Sequence, residues 1–216
     1  MKIVTLVDEL TESNCYLIEE EREVLIIDPN QYDKIYDYLC EYHWTPQMII
    51  LTHEHCDHIG GLESIRSTYQ IPVIASKACS EGIQSTKNNM SSMMEVYLYF
   101  KGKQGVTYPS YQCRPADIIY EEQYEWTWKE HKILCKSIPG HTLGSSCIWL
   151  DQKSLFTGDY LLPQQQVITR LPGGSQEAYV KYGRPSLQKL QPGTHIYPGH
   201  GMDYSLTKEG MNDYGL

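Results

Sequence analysis

Residues 52–61 read THEHCDHIGG and place three histidines, two acids and a cysteine ahead of a Gly-Gly pair. His53 and His55 are two residues apart, so an extended backbone points both side chains to the same side. Asp57 and His58 are adjacent, and a helix that begins just before them would turn both toward a second point nearby. This short segment is therefore predicted to serve two neighbouring cations.

The chemistry of these side chains narrows the kind of cation. Imidazole and carboxylate ligands together suit zinc, iron or manganese better than calcium or magnesium. Without a metal, such crowding would leave several polar groups competing for the same partners. Gly60 and Gly61 let the backbone turn tightly beside the ligands. Cys56 lies inside the motif, and we expect it to point into the fold rather than to bind a cation.

Three further turns with a histidine or an acid follow apolar runs later in the chain: PGHTLGSS with His141, TGDYLL with Asp159 and YPGHG with His200. Each lies where the end of a strand delivers a side chain to the rim of a rigid scaffold. Taken singly, Asp159 could cap a helix and the glycines could only make turns. Together with the first motif, these turns predict one metal centre. The other histidines are expected to be structural or exposed: His43, His131 and His195.

Strands and helices alternate in both halves of the chain. Short runs rich in Val and Ile predict strands over 2–7, 14–19, 23–28, 47–52, 72–76, 131–138, 145–150, 154–159 and 194–201. Helical spacing of apolar residues predicts helices over 32–42, 61–70 and 176–190, the last interrupted by Pro185. This mixture predicts a single α/β layered domain over 1–216. Residues 86–116 have several Met and Tyr residues but no clean period, and we interpret them as a loop-rich insertion or lid.

Composition limits the partners. The chain has 216 residues with 18 basic and 27 acidic side chains, a formal net charge of −9. Because no basic stripe is visible, neither nucleic acid nor an anionic membrane is expected as a partner, and a small-molecule substrate is favoured. There is no signal peptide and no long apolar run, and the seven cysteines form no CxxC motif. These features predict a cytoplasmic protein with reduced thiols, and they leave the oligomeric state open.

The ordered set HEHCDH, PGHTLGSS, TGDYLL and YPGHG resembles the metallo-β-lactamase-fold superfamily. SNCYLI and IIDPN near the start add to the match, which spans residues 14–201. Within the superfamily, the chain looks most like the glyoxalase II (hydroxyacylglutathione hydrolase)-like branch. The resemblance implies an αββα sandwich with the metals at one edge.

The resemblance also implies two ligand sets that share one carboxylate. The first set is His53, His55 and His141, the second is Asp57, His58 and His200, and Asp159 bridges both cations. Asp28, in IIDPN, resembles an acid that orients a ligand, although a strand-ending acid before Pro29 is the alternative. Arg170, in RLPGG, is expected to meet an anionic substrate or to lie on the surface.

A metal-dependent hydrolase follows from this ligand set. Two divalent cations, zinc first with iron or manganese as alternatives, would share a water and make it a hydroxide. That hydroxide would attack a thioester- or ester-like carbonyl, with Asp57 holding a proton. Metallo-β-lactamases proper often carry Cys where this chain has Asp159, which disfavours antibiotic hydrolysis. A basic helical region for glutathione does not follow His200, so recognition of glutathione stays open.

Three other functions remain compatible with the motifs. A persulfide dioxygenase would use one iron held by residues matching His53, His141 and Asp159. A metal-dependent phosphodiesterase or nuclease is disfavoured by the acidic charge. A non-enzymatic metal-binding or flavin-partnered member is disfavoured by the intact histidine motif.

Overall fold

Two six-stranded sheets form the centre of the computed structural model, which describes residues 1–214. The first sheet runs in the order β1 (Lys2–Val7), β2 (Asn14–Glu20), β3 (Glu23–Ile27), β4 (Thr45–Ile50), β5 (Val73–Ser76) and β6 (Ile118–Tyr120). The second runs in the order β12 (Tyr204–Ser205), β11 (His195–Pro198), β10 (Ser154–Gly158), β9 (Ser146–Leu150), β8 (His131–Ser137) and β7 (Gln123–Trp128).

Both sheets mix parallel and antiparallel neighbours. In the first sheet, β1, β2 and β3 are antiparallel, whereas β3, β4, β5 and β6 run parallel. In the second sheet, β10 and β11 form the parallel pair and the other neighbours are antiparallel. The carboxyl ends of β3 and β4 therefore point one way, as do those of β10 and β11.

Helices flank the two sheets, and several of them cover the outer faces of the sheets. They are α1 (Asp33–Tyr42), α2 (Cys56–Ile59), α3 (Leu62–Tyr69), α4 (Lys77–Gly82), α5 (Met94–Phe100), α6 (Gln176–Ala178), α7 (Arg184–Leu187) and α8 (Lys208–Asp213). A 3₁₀ turn, Ser91–Met93, leads into α5, and a π-helical turn, Tyr179–Gly183, joins α6 to α7.

The side chains of β3 alternate between two apolar clusters, which shows how the layers arise. Val24 and Ile26 pack outward into the cluster shared with α1 and α3, whereas Leu25 and Ile27 pack inward into the cluster between the sheets. Successive strand residues point to opposite faces, so a strand that is apolar throughout must be covered on both sides. A third cluster joins the outer face of the second sheet to Leu187 of α7. The four layers are the αββα sandwich that the resemblance implied, and that prediction is confirmed.

Most predicted elements match, with shifts of a residue or two at their ends. Residues 176–190 differ, because they form three short turns rather than one interrupted helix, and Pro185 lies at the start of α7. Residues 86–116 include ten helical residues, 91–100, in addition to loops. Strands β6 and β7, within 118–128, had no sequence prediction, and neither did α8.

No helix among residues 1–214 is both long and apolar enough to cross a membrane. All seven cysteines are free, and all but Cys40 are buried.

Candidate metal centre

The motifs converge where strands of the two sheets end. Asp28 follows β3, and the stretch that begins at Thr52 follows β4 by one residue. Asp159 follows β10, and His200 lies two residues after β11. Crevices outside the carboxyl ends of parallel strands are the usual place for a site in layered α/β folds. The sandwich thus brings side chains from positions 28 to 200 to one edge.

The first group of potential ligands is almost fully buried. One ligand atom from each of His53, His55, His141 and Asp159 lies within 4.8 Å of the others. His141 Nε2 is 3.0 Å from His55 Nδ1 and 3.4 Å from Asp159 Oδ2. The structure therefore brings together the three histidines and the carboxylate predicted for one cation.

The second group lies directly beside the first and consists of Asp57, His58 and His200. Helix α2 begins at Cys56, as the predicted turn requires, and carries the first two of these residues. His200 Nε2 is 3.4 Å from Asp57 Oδ2. Asp159 Oδ1 is 3.3 Å from His58 Nε2 and 3.6 Å from His200 Nε2. Because its other oxygen faces His141, Asp159 touches both groups, which is the arrangement a bridging carboxylate needs.

Backbone carbonyls fix the tautomers of two histidines. His55 Nε2 lies 3.0 Å from the carbonyl oxygen of Pro172, and His141 Nδ1 lies 2.8 Å from that of Ile168. A carbonyl can only accept, so each of these nitrogens carries the proton. The nitrogens without a proton, His55 Nδ1 and His141 Nε2, then face each other and Asp159. Their lone pairs are available to a cation placed among these three side chains.

Asp28 contacts one more histidine directly and another through Thr52. It accepts hydrogen bonds from the backbone N–H and the hydroxyl of Thr52, and its Oδ2 lies 3.2 Å from His58 Nδ1. Since the Thr52 hydroxyl donates to Asp28, it accepts from His53 Nδ1 at 3.0 Å. Asp28 could also group with His53 and His58 as a ligand. Its oxygens already serve these donors, so the geometry favours an orienting role.

Several buried atoms at the centre lack partners. His53 Nε2, His58 Nε2 and Asp159 Oδ1 are buried without a well-formed hydrogen bond, although the last two lie 3.3 Å from each other. Buried polar atoms are almost always satisfied, so orphaned ones need an explanation. All three belong to the two ligand groups. Cations at these groups would satisfy them, and the side chains present therefore fit a pair of divalent metal ions.

The electrostatics differ between the two groups. In the first group, burial and then the charge of His141 lower the pKa of His55 to about 4, and burial likewise lowers the pKa of His53 and His141. In the second group burial opposes the charged form, but Asp57 and Asp159 outweigh it and raise the pKa of His58 well above its usual value.

His200 and the two acids follow the pattern of the second group. Although burial opposes both shifts, Asp159 and Asp57 raise the pKa of His200, and His58 and His200 hold the pKa of Asp57 at about 2. Burial would also raise the pKa of Asp159, yet His200, His141 and His58 keep it well below the usual range. The carboxylates are therefore ionised, and the first histidines neutral, at neutral pH.

Acidification should release the two cations in sequence. A metal competes with protons for imidazole nitrogen, and the pKa values of His58 and His200 are raised whereas that of His55 is lowered to about 4. As pH falls from about 8, the cation at the second group should leave first. Dialysis of metal-loaded protein across pH 8 to 5, followed by metal analysis, should show a plateau of one ion per chain.

His200→Ala supplies the control for this titration, because it should hold a single ion already at pH 8. Loss of both ions in one step from the unaltered protein, with His200→Ala losing its single ion over the same range, would contradict the assignment.

Two glycines make room for the centre. Gly158 has a φ of 53°, a left-handed conformation that favours glycine, and a Cβ there would lie 2.6 Å from Thr52 Oγ1. A Cβ on Gly199 would lie 2.4 Å from Asp159 Oδ1 and 2.9 Å from His58 Cε1. The glycines of TGD and PGH therefore let the backbone approach the ligands closely.

The loop that carries His200 is held by the opposite sheet. Asn14 donates from its side chain to the carbonyls of Pro198 and Gly201, and Tyr16 donates to Pro198 at 2.6 Å. Ser13 donates to the carbonyl of Asp57 at 2.7 Å. The SNCY stretch at the start of β2 thus ties Asp57 and the His200 loop together within the second ligand group, a role that its polar residues before an apolar strand did not reveal.

The remaining predicted residues lie around this centre. Cys56 is buried in an apolar cluster with Met90, Met94 and Leu98, as expected. Arg170 is exposed and forms no salt bridge within residues 1–214, and it lies in the loop whose carbonyls contact His55 and His141. Away from the centre, His43 ends α1, His131 pairs with Asp151, and His195 pairs with Asp203.

Comparison with known proteins agrees with this geometry. Residues 44–200 match the Metallo-beta-lactamase superfamily, and the chain therefore belongs to this family. It is 29% identical over 206 residues to the Bacillus subtilis (strain 168) protein named probable metallo-hydrolase YqgX, covering 94% of this chain and 92% of that protein.

A hydroxyacylglutathione hydrolase and a solved structure extend the comparison. The hydrolase, from Bdellovibrio bacteriovorus, is 28% identical over 204 residues, which cover 91% of this chain and 66% of that protein. The crystal structure of BLEG-1 B3 metallo-beta-lactamase superposes with a TM-score of 0.79 at 25% identity and covers 94% of each chain. These similarities identify a metallo-hydrolase fold with a candidate His/Asp metal site.

Proposed function

We propose that this chain is a hydrolase that holds two divalent cations, zinc in the first instance, and cleaves a thioester- or ester-like carbonyl. The observation that carries the proposal is the position of Asp159, whose two oxygens face separate groups of histidines. A mononuclear site would leave His58 Nε2 with only its 3.3 Å contact to Asp159 Oδ1, whereas a second cation would give both buried atoms a ligand bond.

The reaction needs a nucleophile and a place for negative charge. Two divalent cations, when bound, supply a hydroxide near neutral pH and stabilise the charge that develops on a carbonyl oxygen. We assign to Asp57 the role of holding a proton, because its carboxylate is partly accessible and lies 3.4 Å from His200 Nε2. Asp159 keeps the two ligand groups at a fixed separation. No protein nucleophile is required.

The substrate class rests on chemistry and on relatives. The Bdellovibrio relative is named for hydroxyacylglutathione, which is a thioester, and the Bacillus relative is named only as a metallo-hydrolase. In this chain, Arg170 is exposed on the loop that supports His55 and His141, and we propose that it meets an anionic group of the substrate. A small acyl thioester with a carboxylate in its leaving group combines these features.

Metal analysis and a substrate panel test the proposal. Purified protein should contain about two zinc-like ions per chain, and it should cleave S-lactoylglutathione or another acyl thioester faster than a lactone or bis(p-nitrophenyl) phosphate. A single iron, with oxygen uptake on glutathione persulfide, would establish the dioxygenase instead. Preferred cleavage of the phosphodiester would establish the phosphodiesterase. Removal of metal by a chelator should abolish thioester cleavage, and added zinc should restore it.

A further inference from the structure

Residues 86–116 are fastened to the metal-binding motif. The backbone N–H of Cys56 donates to the carbonyl of Asn89 at 2.7 Å. In return, the Cys56 carbonyl accepts from the hydroxyl of Tyr111 at 2.7 Å and from that of Tyr108 at 3.3 Å. Because Cys56 begins α2 and precedes Asp57, this segment lies directly against the second ligand group.

The same contacts fix helix α5. The backbone N–H of Tyr108 donates to Glu95 Oε1 at 2.7 Å, which ties the loop after α5 back to the helix. Met94 and Leu98, one turn apart on α5, are buried in the cluster that contains Cys56. The helix is thereby held with one face on the motif.

Tyr97 lies at the edge of that buried face. It is half-buried and packs against the cluster of Cys56, Met94 and Leu98. The charged groups that act on its phenol are Asp57 and Asp159, which belong to the candidate metal centre; burial first, and then these two charges, raise the pKa of Tyr97. The hydroxyl is therefore protonated at neutral pH and is available as a donor.

The hydroxyl of Tyr97 differs from its neighbours in lacking a partner. Tyr108 and Tyr111, in the same cluster, both donate to Cys56. Within residues 1–214, the Tyr97 hydroxyl forms no hydrogen bond. Lys101 places its Nζ 5.5 Å from the centre of the Tyr97 ring and adds a positive charge beside it. A partly exposed donor beside a cation suits an anionic oxygen.

We propose that Tyr97 contacts the substrate and donates a hydrogen bond to the oxygen that becomes negative during hydrolysis. This inference rests on the proposed function. When hydroxide adds to the carbonyl carbon, a C–O bond forms and the π electrons move onto the carbonyl oxygen. The phenolic proton stays on Tyr97 throughout. The electron pair on the oxygen then re-forms the carbonyl as the bond from carbon to the leaving sulfur or oxygen breaks, and the leaving group takes that bond's electron pair and the proton of the new carboxylic acid. Removal of one donor to such an oxygen typically lowers kcat by about 10²–10³.

The test compares Tyr97→Phe with Tyr99→Phe. Tyr99 lies on the same helix but is exposed and has no contact with the cluster, so it is the matched control. Inorganic phosphate, a tetrahedral oxyanion, is the probe, and calorimetry on metal-loaded protein measures its binding. Tyr97→Phe should weaken phosphate binding about tenfold, since a hydrogen bond to a charged group is lost. The kcat for a thioester should fall by at least as much, with KM changed less.

The outcomes separate this inference from the proposed function. The role of Tyr97 is supported if Tyr97→Phe keeps the metal content of the unaltered protein and if it, but not Tyr99→Phe, loses phosphate affinity and kcat. If phosphate binding depends on Tyr97 but no ester or thioester is cleaved, the contact stands and the hydrolase assignment fails. If a thioester is cleaved and Tyr97→Phe equals Tyr99→Phe in kcat and in phosphate binding, Tyr97 has no such role. Failure of phosphate to bind the metal-loaded protein also overturns it.

Discussion

Asp159→Asn should reduce the rate of hydrolysis by at least about 1,000-fold. Loss of a single donor that stabilises charge in the transition state costs about 10²–10³ in rate, and loss of the ligand shared by both cations should cost at least as much. The carboxylate lies between the two ligand groups, 3.4 Å from His141 Nε2 and 3.3 Å from His58 Nε2. An amide removes the negative charge, and its NH₂ group faces one ligand group as a donor. Both cations would lose a shared anionic ligand, so we expect the metal content to fall as well.

Asp203→Asn is the matched control. Asp203 also accepts from a histidine, His195, at 2.6 Å, but this pair is partly exposed and outside the metal centre. Activity with the preferred thioester, metal content and circular dichroism should be measured for both variants. Asp203→Asn should keep its metal and its activity. An Asp159→Asn variant with unaltered activity would remove the bridging role.

Asp28→Asn should weaken metal binding about 100-fold, at the upper end of what a single orienting partner contributes. The reason is a change of tautomer at two histidines together. Asp28 accepts from the Thr52 N–H, the Thr52 hydroxyl and His58 Nδ1, so an amide in either orientation places an N–H group against one of these donors. If the amide donates to the Thr52 hydroxyl, that hydroxyl turns and donates to His53 Nδ1. The proton of His53 then moves to Nε2, the atom that would bind the cation.

Two further variants locate this effect. Thr52→Val removes the hydroxyl between Asp28 and His53 but leaves the contact of Asp28 with His58, so we expect a loss of about tenfold rather than 100-fold. Asp151→Asn changes an acid paired with His131 away from the centre and should leave metal affinity unchanged. Zinc affinity is measured by competition with a chromophoric chelator, and thermal unfolding checks that each variant folds. Equal affinities for Asp28→Asn and Asp151→Asn would show that Asp28 does not orient the ligands.

The sequence contained the information for the fold and for the positions of the candidate ligands. The motifs that follow strands can be recognised in the sequence because each combines an apolar run, a glycine and a metal-binding side chain. His53 and His55 occur two residues apart, and the helix predicted just before Asp57 begins at Cys56. The helical turns within residues 176–190 were harder to predict, because a proline such as Pro185 can begin a new helical turn as well as interrupt a helix.

Other features of the centre have no sequence signal. The carbonyls of Ile168 and Pro172 set the tautomers of two histidines, and any residue supplies a carbonyl. Thr52 was part of the quoted motif, but its position between Asp28 and His53 depends on how β3 and β4 pair. Tyr97 lies in a stretch without clear periodicity, and only the fold of residues 86–116 brings it against the cluster that contains Cys56.

The candidate ligands come from both sheets, and this affects how long the chain stays folded. His53, His55, Asp57 and His58 follow a strand of one sheet, whereas His141, Asp159 and His200 belong to the other. Any opening of the sandwich at this edge would separate the candidate ligands, so metal ions that bind only the closed form would oppose it by mass action. Loading the protein with metal would therefore slow amide hydrogen exchange in both sheets at once. Under metal starvation the same edge would open more readily to proteolysis.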